Sequence, residues 1–281
     1  MPYAASELRE QQRSTWNRFS PGWKKHDDMV GKWLGPMGDA LLESARVRAG
    51  MTVLDAATGT GEPGLTAARR VGSGKVIGTD ISADMLAIAG DKAAAYGITN
   101  YETRLCDELP LPFTDGTFDA AVCRLGVMYF PDPAAAVREL ARVVKAGGTV
   151  AVSVWAPPAR NSWATAAGGV VSEKLGIPTP APDAPGLFRC SVAGTLSGYL
   201  TASGLSQVNE SEVAGVLRFS SPGEYWQFIA DVVAPIAAAL SRVDEPARSG
   251  ARQAVLDAVR ARYSAGPVEL QWSSWVASGR K

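Results

Sequence analysis

The sequence is poor in the side chains that carry most metal and acid–base chemistry. In 281 residues it holds one histidine, His26, and three cysteines, Cys106, Cys123 and Cys190. One histidine builds no zinc constellation, and an odd number of irregularly spaced cysteines is no disulfide framework. No metal site is therefore expected, and the thiols point to a reducing cytoplasmic setting. An excess of either charge is also missing: 28 basic residues balance 28 acidic ones. That balance supplies no basic stripe of the kind that holds nucleic acid, so no nucleic-acid partner is expected. No apolar run approaches the roughly 20 residues a membrane helix needs. The N-terminus mixes Glu7, Arg9, Glu10 and Arg13 and lacks a signal-type apolar stretch. Insertion into a membrane is not expected either.

What the chain does have is an ordinary globular balance, 46% apolar and 20% charged. Its length suits one core domain with an elaboration. Residues 5–48 read as helical and carry Trp16, Trp23 and Trp33, with Pro21-Gly22 expected to divide them into separate helices. From Met51 the pattern alternates. Strands are expected at Val53-Leu54, Lys75–Thr79, Tyr101–Leu105, Phe118–Leu125 and Thr149–Trp155. Helices are expected at 64–71, 83–96 and 133–144, the last closed by Gly147-Gly148. Ser82 is placed to cap the second of these. Further on, 191–203 reads as helix, 206–219 as strand, 222–265 as helix and Val268–Ser278 as a final strand. Trp272 and Trp275, three residues apart in that strand, fall on opposite faces.

Alternation of this kind predicts a parallel, doubly wound α/β sheet with right-handed crossovers. The domain plan is a helical cover over 1–50, a core over 51–221 and 267–281, and a helical insertion over 222–266. The insertion would act as a lid or a homodimer surface. Ligands of such sheets sit outside the carboxyl ends of the strands. Asp55, Asp80, Asp107 and Arg124 lie at or near four such ends.

The turn after the first strand, Gly59-Thr60-Gly61-Glu62-Pro63-Gly64, has dinucleotide spacing. Alone that pattern is weak, since it says only that a backbone approaches a ligand at a helix N-terminus. Two carboxylates argue against a pyrophosphate: Asp55 four residues before the first glycine, and Glu62 inside the turn. Both would repel phosphate and tolerate a cationic ligand.

Here the chain resembles the class I S-adenosylmethionine-dependent methyltransferases. Val53-Leu54-Asp55-Ala56-Ala57-Thr58-Gly59-Thr60-Gly61 matches their first motif, and Asp80-Ile81-Ser82 with Met85-Leu86 the second. Cys106-Asp107 matches the third and Phe118-Asp119 through Arg124 the fourth. Arg142-Val143-Val144-Lys145-Ala146-Gly147-Gly148 resembles the run before the fifth strand. Among such enzymes the ubiquinone and menaquinone biosynthesis C-methyltransferases look most alike, on Arg124-Leu125-Gly126-Val127-Met128-Tyr129-Phe130-Pro131-Asp132.

The resemblance implies a Rossmann-like, seven-stranded, mostly parallel sheet with helices on both faces, binding S-adenosyl-L-methionine. It implies that Asp55 and the backbone of Gly59 and Gly61 hold the methionine moiety, and that Asp80 takes the ribose hydroxyls. Asp107 would take the adenine amino group, with Ile81 and Met85 packed on the ring. Ala57, Glu108 and Arg124 complete the expected cofactor contacts. The implied reaction is methyl transfer to a small molecule.

Each assignment has a plain structural rival: Asp55 capping a turn, Asp80 capping a helix, Met85 filling core. His26 is the one side chain with an ordinary pKa near neutrality, a candidate base that competes with a surface role beside Lys24 and Lys25. Trp16, Trp23, Tyr129, Trp155, Trp163 and Trp226 are the candidate acceptor surface, in competition with simple core packing. An apolar or aromatic acceptor follows. The competing functions are a nicotinamide-dependent oxidoreductase, in which Asp55 and Asp107 have no role, and a cofactor-binding subunit without turnover. Arsenite methylation would need converging cysteines, and Cys106 and Cys123 form no evident cluster.

Overall fold

The structure is a computed structural model that describes residues 5–106, 109–178, 181, 183–263 and 267–281. Helices α1 (Ala5–Lys25) and α2 (Asp27–Ser44) precede the sheet. Then come β1 (Thr52–Ala56), α3 (Gly64–Val71), β2 (Lys75–Asp80), α4 (Ala83–Ala95), β3 (Tyr101–Leu105) and β4 (Phe118–Arg124). Next are α5 (Pro133–Val143), β5 (Val144–Trp155), α6 (Ser162–Leu175), α7 (Thr195–Ala202) and β6 (Ser206–Phe219). Helices α8 (Pro222–Val232), α9 (Ala234–Leu240) and α10 (Glu245–Arg262) lead to β7 (Val268–Arg280).

The seven strands form one sheet in the order β3-β2-β1-β4-β5-β7-β6. Neighbours among β1 to β5 pair in parallel, and β7 runs antiparallel to both β5 and β6. Val53, Leu54, Asp55 and Ala56 are buried in succession, as are Ala120 to Cys123 and Val150 to Trp155. Consecutive burial means that both faces of the central strands are covered, as parallel connections require. The strand order reverses between β1 and β4, where the first turn and the Arg124 loop leave the sheet side by side.

Two expectations are corrected. Pro21 does not break the first helix, which runs on to Lys25. A proline in mid-helix leaves the carbonyl four residues earlier without its N–H. Here that carbonyl belongs to Asn17, and the Ser20 hydroxyl donates to it at 2.9 Å. Gly22 is demanded by packing rather than by a turn, because a Cβ there would lie 2.2 Å from the Asp231 carbonyl of α8. Second, Gly147-Gly148 does not close the helix after Pro133. That helix ends at Val143, and β5 starts at once at Val144 with the glycines inside it. A Cβ on Gly148 would lie 2.5 Å from the Asp119 carbonyl, so glycine serves close strand contact there.

Asn161 ties the end of β5 to β7. Its amide donates to the carbonyls of Ala156 (2.8 Å) and Ser273 (3.0 Å). Its Oδ1 accepts from the Ser273 N–H (3.0 Å) and the Trp163 indole (2.9 Å). A fully satisfied buried amide of this kind fixes the surrounding rotamers.

Candidate active site

The carboxyl ends of β1, β2, β4 and β5 open into a cavity of about 330 Å³. Helices α1 and α2 supply its far wall through Arg9, Gln12, Trp16, Trp23, Trp33 and Leu34. Val232, Val233 and Ala234, at the α8–α9 junction, close one side.

The first turn explains the glycine spacing atom by atom. Asp55 is buried beneath it, with Oδ2 accepting from the Gly64 N–H (2.8 Å) and the Thr58 hydroxyl (2.5 Å). Thr58 in turn meets the Tyr101 hydroxyl at 2.8 Å. A Cβ on Gly64 would lie 2.6 Å from that same Oδ2, so only glycine lets the carboxylate reach the helix start. Burial pushes the Asp55 carboxyl up to about 7, opposed by its bonds to Thr58 and Gly64 and by the Arg124 charge.

Asp80, at the end of β2, holds the turn from the other side. Its Oδ2 accepts from the Gly59 N–H (2.8 Å) and its Oδ1 from the Ser82 N–H (2.9 Å). Burial raises its pKa, and those backbone donors oppose the rise. Unlike Asp55, Asp80 reaches the cavity wall. Gly59 has positive φ, and a Cβ there would meet nothing within 4 Å, so the chain faces open cavity at that point.

Ala57 and Leu125 follow β1 and β4, and both sit in the left-handed region, at φ 55° and 58°. Such conformations are costly for residues with a Cβ and tend to gather at functional sites. They are held by contact between the two loops: a Cβ on Gly126 would lie 2.6 Å from both the Ala57 Cβ and the Cys123 Sγ.

Arg124 is a half-buried residue whose guanidinium lies on the cavity wall. Its Nη1 donates to the Leu34 carbonyl at 3.3 Å. Desolvation pulls its pKa down, while the fields of Glu62 and Asp55 push it back up. No carboxylate among the described residues lies within ion-pair distance of it.

The opposite side of the cavity is aromatic. Trp33 stacks on Trp155 at 5.4 Å and meets Trp163 edge-on at 4.5 Å. Trp16 packs edge-on against both Tyr129 (5.2 Å) and Trp23 (6.2 Å). Offset and edge-to-face pairs of this kind are worth about 0.5–1.5 kcal/mol each beyond area burial.

The structure therefore gathers Ala57, Gly59, Asp80, Ile81, Met85 and Arg124 with Trp16, Trp23, Tyr129, Trp155 and Trp163 around one space. Asp107 and Glu108 lie outside the described residues. Four expected contacts are placed elsewhere. Asp55 sits below the turn and supports it. Gly61 faces Leu65, where a Cβ would lie 2.8 Å from the side chain. The amides of Gly59 and Gly61 are spent on Asp80 and on the Thr58 carbonyl, so neither is free for a ligand. Trp226 is buried among the helices rather than on the cavity wall. His26 is also away from the wall: its Nε2 meets Asp231 Oδ2 at 2.9 Å, and its ring packs on Phe228. Asp231 also holds Lys25 at 2.7 Å, so this carboxylate fastens the end of α1 to α8. Sequence reasoning missed Trp33 and Thr58 as cavity residues, while Glu62, picked out there for its charge, does line the cavity. For Trp33 the sole signal was a large aromatic in a helix of the cover.

Comparison with known proteins fits this geometry. Residues 53–148 match the methyltransferase domain family. An uncharacterized protein of Mycobacterium tuberculosis is 36% identical over 127 residues, a match covering 45% of each chain. The chain thus spans just under half the length of that relative. The demethylmenaquinone methyltransferase of Thermus thermophilus is 33% identical over 198 residues, covering 66% of this chain and 86% of the relative. In fold, the YcgJ protein of Bacillus subtilis superposes with TM-score 0.56 at 21% identity, covering 87% of this chain and 97% of that one. The chain belongs to the class I S-adenosylmethionine-dependent methyltransferases.

Proposed function

We propose that this chain transfers a methyl group from S-adenosylmethionine to a small, largely apolar or aromatic acceptor. One observation carries the reading: a carboxylate on the β2 end and an uncompensated guanidinium on the β4 end share a cavity with an aromatic wall. The residues present fit the cofactor. Asp80 keeps lone pairs for two ribose hydroxyls, and charge-assisted hydrogen bonds of that kind are worth about 1.5–3 kcal/mol each. Arg124 suits the methionine carboxylate, since it lacks a carboxylate of its own. Ile81 and Met85 suit the adenine ring. The open face of Gly59 allows close approach of the ligand to the chain.

The bound cofactor supplies a methyl group on a sulfonium, which is already a good leaving group. Held by Asp80 and Arg124, the cofactor would give up that methyl in line to an electron pair of the acceptor, with the bonding pair of the broken carbon–sulfur bond staying on sulfur. What the protein adds is alignment and exclusion of water, and orientation of this kind supplies roughly 7–11 kcal/mol. His26 takes no part in this scheme, because its ring is bound to Asp231 away from the cavity. Tyr129 serves no better as a base, since burial drives its pKa upward.

A small-molecule acceptor suits a cavity of about 330 Å³ and a net charge of zero, which supplies no excess of positive charge for a nucleic acid. A cytoplasmic setting fits three free cysteines, and no described helix is long and apolar enough to cross a membrane. A homodimer through the α8–α10 insertion is testable by light scattering. Calorimetry with S-adenosylhomocysteine and with NAD tests the central claim. Binding of the first alone is expected, followed by label transfer from methyl-labelled cofactor to an aromatic acceptor. Binding of NAD alone would overturn the reading.

A further inference from the structure

One face of α1 bears on the charge of the acceptor, an inference that rests on the methyl-transfer reading. Arg9, Gln12, Trp16 and Trp23 all line the cavity, at spacings of three, four and seven residues that set them on one helical face. The two tryptophans are tied into the protein. Trp23 donates to the Val232 carbonyl at 3.2 Å, and Trp16 packs edge-on against Trp23 and Tyr129. Arg9 lies two turns nearer the N-terminus than Trp16, about 10 Å along the axis. Arg9 and Gln12 are both half-buried, and neither side chain has a hydrogen bond or ion pair among the described residues. The acid nearest in sequence, Glu10, is engaged by Arg13 instead.

The charged side chains of the cavity wall are Arg9, Glu62, Asp80, Arg124 and Asp132. Each carboxylate is engaged within the protein. Glu62 accepts from the Thr66 N–H (3.1 Å) and stands 3.9 Å from Arg69. Asp80 accepts from the Gly59 and Ser82 amides, and Asp132 from the Ala135 N–H (2.9 Å), with Arg138 at 3.7 Å. The two guanidiniums have no carboxylate. S-adenosylmethionine brings one, and on the methyl-transfer reading it goes to Arg124 beside the glycine turn. Its other charges, an ammonium and a sulfonium, are positive and offer Arg9 nothing. Water serves Arg9 while the cavity is open. A ligand that fills the cavity displaces that water and leaves the cation unpaired unless it brings an anion of its own. The cavity runs from an inner end at Trp155 and Trp163, each 2% exposed, to a rim where Arg9 is half-buried and Asp132 exposed.

We propose that Arg9 is a specificity-determining cation at the cavity rim, selecting an amphipathic acceptor that buries an apolar body against the indoles and holds an oxyanion, a carboxylate being the simplest, at the rim. A guanidinium matches the two oxygens of a carboxylate with parallel N–H donors. The Gln12 amide, one turn along the same face, offers N–H donors to the same group. A neutral analogue of equal size is disfavoured, because it strips water from the cation and replaces it with nothing.

The test uses two probes of one shape that differ in charge, 4-phenylbutyrate and 4-phenylbutanamide, titrated into the full chain saturated with S-adenosylhomocysteine. The wild type is expected to prefer the carboxylate by about five- to tenfold, the worth of one charge-assisted contact at a partly wet rim. Arg9→Met is expected to bring that preference below about threefold, with amide affinity held within about twofold. That loss supports the proposal. A wild-type preference below about threefold, failure of both probes to bind, or a preference above about threefold surviving in Arg9→Met overturns it. So does an Arg9→Met variant that weakens S-adenosylhomocysteine and spares methylthioadenosine, because Arg9 would then serve the cofactor's carboxylate. S-adenosylhomocysteine affinity on the same samples reports folding, and Arg9→Gln replaces the methionine variant if that one fails. Wild-type protein that does not bind S-adenosylhomocysteine at all would refute the methyl-transfer reading itself, an outcome distinct from absent probe preference.

Discussion

The two sides of the cavity are built by opposite means. Apart from Arg124 at the end of β4, the polar side comes from one stretch of chain, from Asp55 to Met85, where strand ends and a glycine turn are held by backbone bonds to two carboxylates. The aromatic side draws on α1, α2, the β4 loop, the end of β5 and α6. In the sheet, β2 and β5 lie three strand spacings apart, roughly 14 Å. On the proposed reading, a local motif serves the cofactor and long-range packing serves the acceptor. The first tolerates few changes because its atoms are bonded one to one. The second is a packed surface, where area and shape count more than any single contact.

That contrast can be broken or sharpened by substitution. The largest effect is expected from Asp80→Ala, which should weaken S-adenosylhomocysteine binding by about 100-fold or more, the loss of two charge-assisted bonds. Calorimetry should show the affinity for an apolar aromatic probe such as tetralin unchanged. An equal loss of both ligands would mean that the two sides are not separable.

Asp55 tests whether the polar side is held by a buried acid. Its carboxyl stands at about 7 in the folded chain against an ordinary 3.8. The folded state therefore binds the proton more tightly, and stability falls as pH rises from about 4 to about 7. The shift amounts to at most about 4 kcal/mol across that window. Asp55→Asn keeps an acceptor for Gly64 and Thr58 and removes the charge. Urea unfolding from pH 4 to 8 should show that the wild type's decline is largely absent from the variant. A parallel decline in both would remove Asp55 as its source.

Trp155→Leu addresses the other side. It should cost about 3 kcal/mol of stability as a cavity-forming change. Cofactor affinity should stay within about threefold, because hydrogen bonds and not ring contacts hold the donor. Arg124→Met is expected to weaken S-adenosylhomocysteine by about tenfold and to leave methylthioadenosine, which lacks the amino-acid carboxylate, unchanged. Equal weakening of both ligands would deny Arg124 that carboxylate. The smallest effect belongs to His26→Ala: loss of a partly exposed pair with Asp231, worth about 1 kcal/mol or less, with cofactor binding unaltered.

The sequence by itself determined the order of strands and helices and the polar side of the cavity. Strand alternation is a period read along the chain, and the carboxylates fall at strand ends because the motif that places them is contiguous. Yet it assigned Asp55 and the glycine amides to a ligand. Only the three-dimensional structure shows those groups spent on one another, because a hydrogen bond between residues nine or twenty-one positions apart leaves no periodic trace. Pro21 misled for a related reason: a neighbouring serine hydroxyl repaired the helix. The aromatic wall was decided by tertiary packing. Trp226 and Trp33 are both helical tryptophans, and nothing in their local sequence says which one meets the cavity. That choice depends on how α2 and α8 lie against the sheet, a matter of side-chain fit between segments some two hundred residues apart.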